Sequence, residues 1–326
     1  MRRFLILPVL LAVATLAACG SDDTASGDRV AVVATTTQAA DLVANVGGDR
    51  VEVDRLLEPN SDPHDYEPRP SDAEAVAGAA VVVRSGGDLD EWLDDVIESA
   101  AADPEVLTLI DHVETMEGGV HAGEHAGEEE HARDEGHAGD EADPHWWHDP
   151  RNAVRAVAAI RDALVAADPG GRATYDANAR AYTREIRSLD RAVAGCFAAI
   201  PAERRKLVTT HDALGYFAAR YDIEAIGSVL DSLSTQAQPS AGDTQELIEQ
   251  IRAEGVEVIF AESSVHPRLE RAIADEAGAR VGEPLWADTL GPPGSSGDTY
   301  LKSIAANADA IARGFGGAPC ELPAAQ

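Results

Sequence analysis

Basic residues are scarce in this chain: 26 Lys and Arg stand against 58 Asp and Glu among 326 residues, a formal net charge of −32. A surface of that sign repels phosphate backbones, so nucleic acid and anionic substrates are excluded as partners. It gathers cations near the protein without building a site for any of them. Catalytic signatures are missing too. The sequence holds no His-Glu-x-x-His pair and no Gly-x-Ser-x-Gly elbow, which leaves a zinc protease or an α/β-hydrolase without its machinery. Cysteine is rare, with Cys19, Cys196 and Cys320 the only three. The apolar run Phe4–Leu16 is short of the roughly 20 residues that a membrane-spanning helix needs.

What is present begins with that run, which follows Arg2 and Arg3 and reads as a signal peptide over residues 1–18. Ala17 and Ala18 precede Cys19, and the string LAAC resembles a bacterial lipobox, in which the Cys is lipidated and becomes the new N-terminus. Cys19 is therefore expected to hold the protein to a lipid membrane through a small, polar, acidic tether, residues 19–28. With Cys19 assigned to lipid, Cys196 and Cys320 remain as an even pair in a compartment that permits disulfides. A bond between them is expected, with two free thiols as the alternative.

The body reads as α/β. Apolar β-rich runs at Arg29–Thr36, Val51–Leu57 and Ala80–Arg84 alternate with helical patterns, which implies a parallel sheet covered on both faces. Ser71 and Glu74 have capping-box spacing and predict a helix start there. Residues 118–143 break the pattern as a low-complexity run of Gly, Ala, His, Glu and Asp. From Arg172 to Phe197 one stripe, Tyr175, Ala179, Tyr182, Ile186, Leu189, Val193 and Cys196, recurs at alternating steps of four and three and predicts a long amphipathic helix. Strands are predicted again at Lys206–Thr210, Ile223–Val229, Val256–Glu262 and Arg280–Val281, with a closing helix over Asp298–Arg313. The expected architecture is two doubly wound, Rossmann-like lobes, 29–168 and 201–326, joined by a rigid connecting helix within 169–200. Ligands of such sheets bind outside the carboxyl ends of strands, so the cleft between the lobes is the expected site.

Four segments concentrate metal-capable groups in this frame. NSDPHDYEPRPSD carries His64, DPHWWHDP carries His145 and His148, LVTTHDALGYFAARY puts His211 directly after a strand, and LWADTLGPPG carries Asp288. Taken together they resemble the metal-binding solute receptors of ABC transporters that import zinc or manganese, over about Val30 to Arg313. Asp62–Asp72 matches the family's DPHxYEPxPSD, Asp143–Pro150 its DPHxWxDP, His211–Ala218 its HDAxGYxA, and Asp288–Gly291 with Thr299-Tyr300 its DS/TLG turn followed by TY.

The resemblance implies a lipid-anchored receptor at the outer face of the cytoplasmic membrane, delivering its ion to a permease with an ATPase; a monomer is expected. It implies His64, His145, His211 and Asp288 as ligands, with His148 in a variable position and at most accessory. Three imidazoles and one carboxylate form a closed four-coordinate set suited to Zn²⁺, with Mn²⁺ or Fe²⁺ as alternatives. A catalytic zinc would instead keep a position open for water, which Asp288 fills, so a secreted zinc hydrolase is the weaker reading. Glu67, Asp149 and Asp212 are the nearby carboxylates expected to orient imidazoles, and Glu262 lies where the family often carries a Glu at the cleft. Zinc receptors of this kind often carry a His-rich acidic insertion before the second ligand. His121, His125, His131 and His137 are accordingly expected to bind zinc weakly.

Overall fold

The computed structural model describes residues 29–118 and 142–323. The first sheet is built by β1 (Val30–Ala34), β2 (Val51–Arg55), β3 (Val81–Arg84) and β4 (Glu105–Thr108), all parallel in the order β2-β1-β3-β4. Helices α1 (Thr37–Gly47), α2 (Pro70–Gly78) and α3 (Leu93–Ala100) connect the strands, and α4 (Pro150–Ala167) follows β4. Strand β4 escapes the hydrophobic reading because only one of its residues, Leu107, is buried, and Val106 is 38% exposed.

After α5 (Arg172–Ala198) come β5 (Lys206–Thr209), α6 (Gly215–Tyr221), β6 (Glu224–Ser228), α7 (Ala241–Glu254), β7 (Val258–Ile259), α8 (Arg268–Ala277), β8 (Arg280–Val281) and α9 (Tyr300–Gly314). The parallel pairs β5-β6 and β7-β8 are joined by a parallel bridge from Thr209 to Phe260. The resulting order, β6-β5-β7-β8, repeats that of the first sheet. The ladder of β7 is shorter than its apolar run. Beyond Ile259 the chain keeps single bridges only, the last between Glu262 and Leu285, as it turns to bring Glu262 inward.

Alternation along the strands sorts side chains into three apolar clusters. Val33 and Val82 face an outer cluster with Val76, Leu93 and Val96, and Val208 and Ile259 face another with Leu247, Ile251 and Ile273. The opposite faces of both sheets share one central core, in which Val32, Ala34, Val81 and Val83 meet Leu207, Val258 and Phe260 around α1, α4, α5, α6 and α9. Helix α5 runs through this core for roughly 40 Å at 1.5 Å per residue. Its buried stripe is Tyr175, Ala179, Tyr182, Ile186, Leu189, Val193 and Phe197. Phe197 takes the last inward position, and Cys196 turns to a disulfide with Cys320 beyond α9. Among the described residues no helix is long and apolar enough to cross a membrane.

The start of α2 corrects the capping reading. The helix begins at Pro70, Ser71 lies inside its first turn, and the carboxylate of Asp72, not Glu74, accepts the N–H of Arg69 at 2.6 Å. Proline at the first helical position fixes the entry two residues earlier than the Ser71–Glu74 spacing implied, with Arg69 in the cap position.

Candidate metal centre

Each metal-capable segment ends up beyond the carboxyl end of a strand. His64 sits in a 3₁₀ turn, Pro63–Asp65, on the way from β2 to α2, and His145 lies just before another, Trp146–His148, that leads into α4. His211 follows β5 directly, and Asp288 lies between β8 and α9. Both Asp-Pro-His tripeptides fold alike: the Asp carboxylate accepts the N–H of the His two residues on, at 3.0 Å in Asp62–His64 and 2.9 Å in Asp143–His145. The intervening proline restricts the backbone to that turn.

These four side chains converge. Asp288 Oδ2 is 3.2 Å from His211 Nε2 and 3.5 Å from His64 Nε2, its Oδ1 is 3.4 Å from His145 Nε2, and the Nε2 atoms of His211 and His145 are 3.3 Å apart. Tetrahedral coordination with bonds of about 2.0–2.1 Å puts neighbouring donors about 3.3–3.4 Å apart, close to these separations. His145, His211 and Asp288 are buried, and the His64 side chain is only 4% exposed. His64 Nε2 and both oxygens of Asp288 are buried without a hydrogen bond among the described residues. Facing lone pairs of this kind are costly unless a proton or cation sits between them.

Two further carboxylates turn the rings. Asp143 Oδ1 lies 2.7 Å from His145 Nδ1, and Glu262 Oε1 lies 2.6 Å from His211 Nδ1 and accepts the His211 N–H at 3.2 Å. With Nδ1 committed to a carboxylate, each ring points Nε2 at the shared centre. Burial alone would push the His211 pKa down, but Glu262 and then Asp288 outweigh it and hold it well above the ordinary imidazole value. His145 is raised in the same way, Asp143 overcoming burial. The opposite pull acts on Asp288, where His211 and His145 override burial and keep the carboxyl well below the usual range. The cluster is thus a cation-seeking pocket in which a divalent ion competes with protons.

Not every expected residue joins it. Glu67 is exposed. Asp149 caps α4 and grips Arg151, accepting its N–H at 2.8 Å and its guanidinium at 2.6 Å. Asp212 is part-buried and holds neither ring. His148 is buried against Trp147 and is not one of the four converging side chains, and its pKa is pushed down to about 3 by burial and then by His145. Asp143 was missed, although an acid two residues before a candidate ligand, with proline between, was visible. Cys19 and His121, His125, His131 and His137 lie outside the described residues.

Three of the four ligand-bearing turns, those of His64, His145 and Asp288, are hydrogen-bonded to the other lobe. Tyr216 of α6 donates its hydroxyl to Asp143 O at 2.9 Å. Trp147 Nε1 donates to Ala287 O at 3.1 Å, the Leu290 N–H donates to Thr37 Oγ1 at 2.8 Å, and the Asn60 N–H donates to Leu290 O at 2.9 Å. Gly291 allows the turn after Asp288 to close, since a Cβ there would fall 2.6 Å from the Trp286 ring.

A family model described as ZnuA, zinc-uptake complex component A, periplasmic, matches residues 32–314. The iron-binding protein YfeA of Yersinia pestis is 31% identical over 94% of this chain and 92% of its own length. The manganese-binding lipoprotein MntA of Halalkalibacterium halodurans is 27% identical over 94% of this chain and 97% of its own. Among solved structures, the periplasmic zinc binding protein TroA from Treponema pallidum superposes with a TM-score of 0.75 at 28% identity, covering 88% of this chain and 99% of that one.

Proposed function

This chain belongs to the ZnuA family, and from that premise we propose that it captures Zn²⁺ through His64, His145, His211 and Asp288 and hands it to an ABC permease driven by an ATPase. It is an extracytoplasmic metal-binding receptor of ABC import, exported and anchored at the membrane. Lipidation of Cys19 supplies the anchor in this reading, and loss of lipid labelling in Cys19→Ala tests it. The observation that carries the metal assignment is the convergence of three Nε2 atoms on one buried carboxylate, with His64 Nε2 and both Asp288 oxygens lacking a hydrogen bond among the described residues. An N₃O set with no position left for water favours storage and delivery of zinc over hydrolysis.

A second reading, a manganese or iron cargo, is favoured by one feature. The two oxygens of Asp288 are shared out, Oδ1 toward His145 and Oδ2 toward His64 and His211, so that bidentate binding would raise the coordination number above four and suit a harder ion. The relatives named for manganese and iron belong to the same family. Competitive titration of the mature chain with Zn²⁺ and Mn²⁺, in wild type and in His211→Ala, decides between them. One tight Zn²⁺ per chain, lost in the variant, is expected. Tighter binding of Mn²⁺ would move the assignment to the second reading, and tight zinc untouched by His211→Ala would remove His211 from the ligands.

A further inference from the structure

The two Asp-Pro-His turns are alike in backbone but differ in what holds the carboxylate. In the second, Asp143 Oδ1 binds both the His145 N–H and the His145 ring. In the first, Asp62 Oδ1 accepts the His64 N–H, but Oδ2 is occupied from the opposite lobe: it accepts the Thr235 hydroxyl at 2.7 Å. Gln236, the next residue, donates its side-chain amide to His64 O. Both belong to the loop between β6 and α7. The carboxylates that bind imidazole Nδ1 atoms, Asp143 and Glu262, are both on other rings. His64 is also the one ligand of the four that is part-buried as a residue, while His145, His211 and Asp288 are buried.

We propose that Thr235 is a positioning residue that governs exchange of the ion, a step that rests on the site assigned above. By occupying Asp62 Oδ2 it keeps that carboxylate off the His64 ring and latches the C-terminal lobe across the His64 turn. His64 is then the ligand that swings aside for the ion to enter or leave, and the Thr235–Asp62 bond must break first. The other edge of the turn, where the Asn60 N–H reaches Leu290 O and Thr289 Oγ1, both at 2.9 Å, stays in place as the pivot. A hydroxyl–carboxylate bond is charge-assisted and stronger than a neutral one. Its loss from the barrier accelerates release roughly tenfold.

The test loads the full mature chain with one Zn²⁺ and follows release into excess chelator by stopped flow. Thr235→Val, which keeps the shape and removes the donor, is expected to release zinc about tenfold faster; Thr235→Ser, which keeps the hydroxyl, should stay near wild type. Gln236→Ala should shift the rate the same way by less. A role in fold stability alone would lower the melting temperature of the metal-free Thr235→Val chain and leave the release rate within twofold of wild type, and that result overturns the proposal. If Thr235→Val does not fold, Thr235→Ala carries the same comparison. A wild-type chain holding no tight zinc sensitive to His211→Ala would overturn the site and the latch together. A sensitive site with an unmoved rate would overturn the latch alone.

Discussion

Glu262 offers the sharpest test of how the centre is held. Its buried carboxylate binds the ring and the N–H of His211 with one oxygen, Oε1, so it fixes the tautomer that presents Nε2 and adds negative charge behind the ring. Loss of such a partner typically weakens metal binding 10- to 100-fold, or about 1.4 to 2.7 kcal/mol. Glu262→Gln keeps a carbonyl oxygen for Nδ1–H and loses only the charge. The same charge also helps hold a proton on His211, so its removal relieves proton competition and offsets part of the loss; roughly tenfold weakening is expected. Glu262→Ala releases the ring altogether and should reach about a hundredfold, which at fixed zinc excess removes about 2.7 kcal/mol of zinc-linked stabilisation. Chelator competition gives the affinities, and thermal melts with and without Zn²⁺ give the stabilisation; exposed Glu67→Gln is the control. Wild-type affinity in Glu262→Ala would refute the orienting role. A loss in Glu262→Gln as complete as in His211→Ala would make Glu262 a ligand in its own right.

Asp41 should give stability a pH dependence of unusual sign. Burial pushes its carboxyl up to about 6 despite hydrogen bonds from the Tyr300 N–H and the Tyr182 hydroxyl. Its contribution is therefore complete below the unfolded value near pH 4 and lost as pH rises through about 6, an effect of about 3 kcal/mol. Urea melts of Asp41→Asn and wild type should differ progressively in the variant's favour from pH 4.5 to 8, and a constant difference would refute this. Breaking the Cys196–Cys320 bond opens a separation of 124 residues, so Cys320→Ser should lower the melting temperature, by up to about 4–5 kcal/mol of stability on loop entropy, with zinc affinity unchanged. Deleting residues 118–141 should abolish weak additional zinc binding in dialysis and spare the tight site; loss of tight binding would place a ligand in that segment.

The sequence was most legible where backbone and chemistry coincide locally. A strand followed at once by His211, and Asp-Pro-His turns whose acid caps its own histidine, specify position through a few residues. Helix α5 was readable for the same reason, its stripe surviving with Phe197 in place of Cys196 at the end. What was not legible depends on distance. Glu262 was expected at the cleft by resemblance, but its pairing with His211 spans 51 positions, and nothing near Glu67, Asp149 or Asp212 distinguishes an acid that will cap a helix from one that will hold a ring. Asp149 illustrates the competition: placed before Pro150, it was drawn to the helix N-terminus and to Arg151. Strand β4 failed for a different reason, since an edge strand with one buried residue carries almost no hydrophobic signal.

Reciprocal anchoring limits how the protein can open. The Asp288 turn belongs to the C-terminal lobe yet hangs from Thr37, Asn60 and Trp147 of the N-terminal lobe, and Asp143 of the N-terminal lobe leans on Tyr216 of the C-terminal one. Separating the lobes as rigid bodies would break these bonds together, at about 1 kcal/mol net each when water can replace them and more where it cannot. It would also part a core that runs continuously through α1, α4, α5, α6 and α9, at roughly 25 cal/mol per Å² of apolar surface exposed. A local movement avoids both costs. The His64 turn is the place for it, because its cross-lobe contacts through Thr235 and Gln236 are part-buried or exposed, and water can take them over as they open.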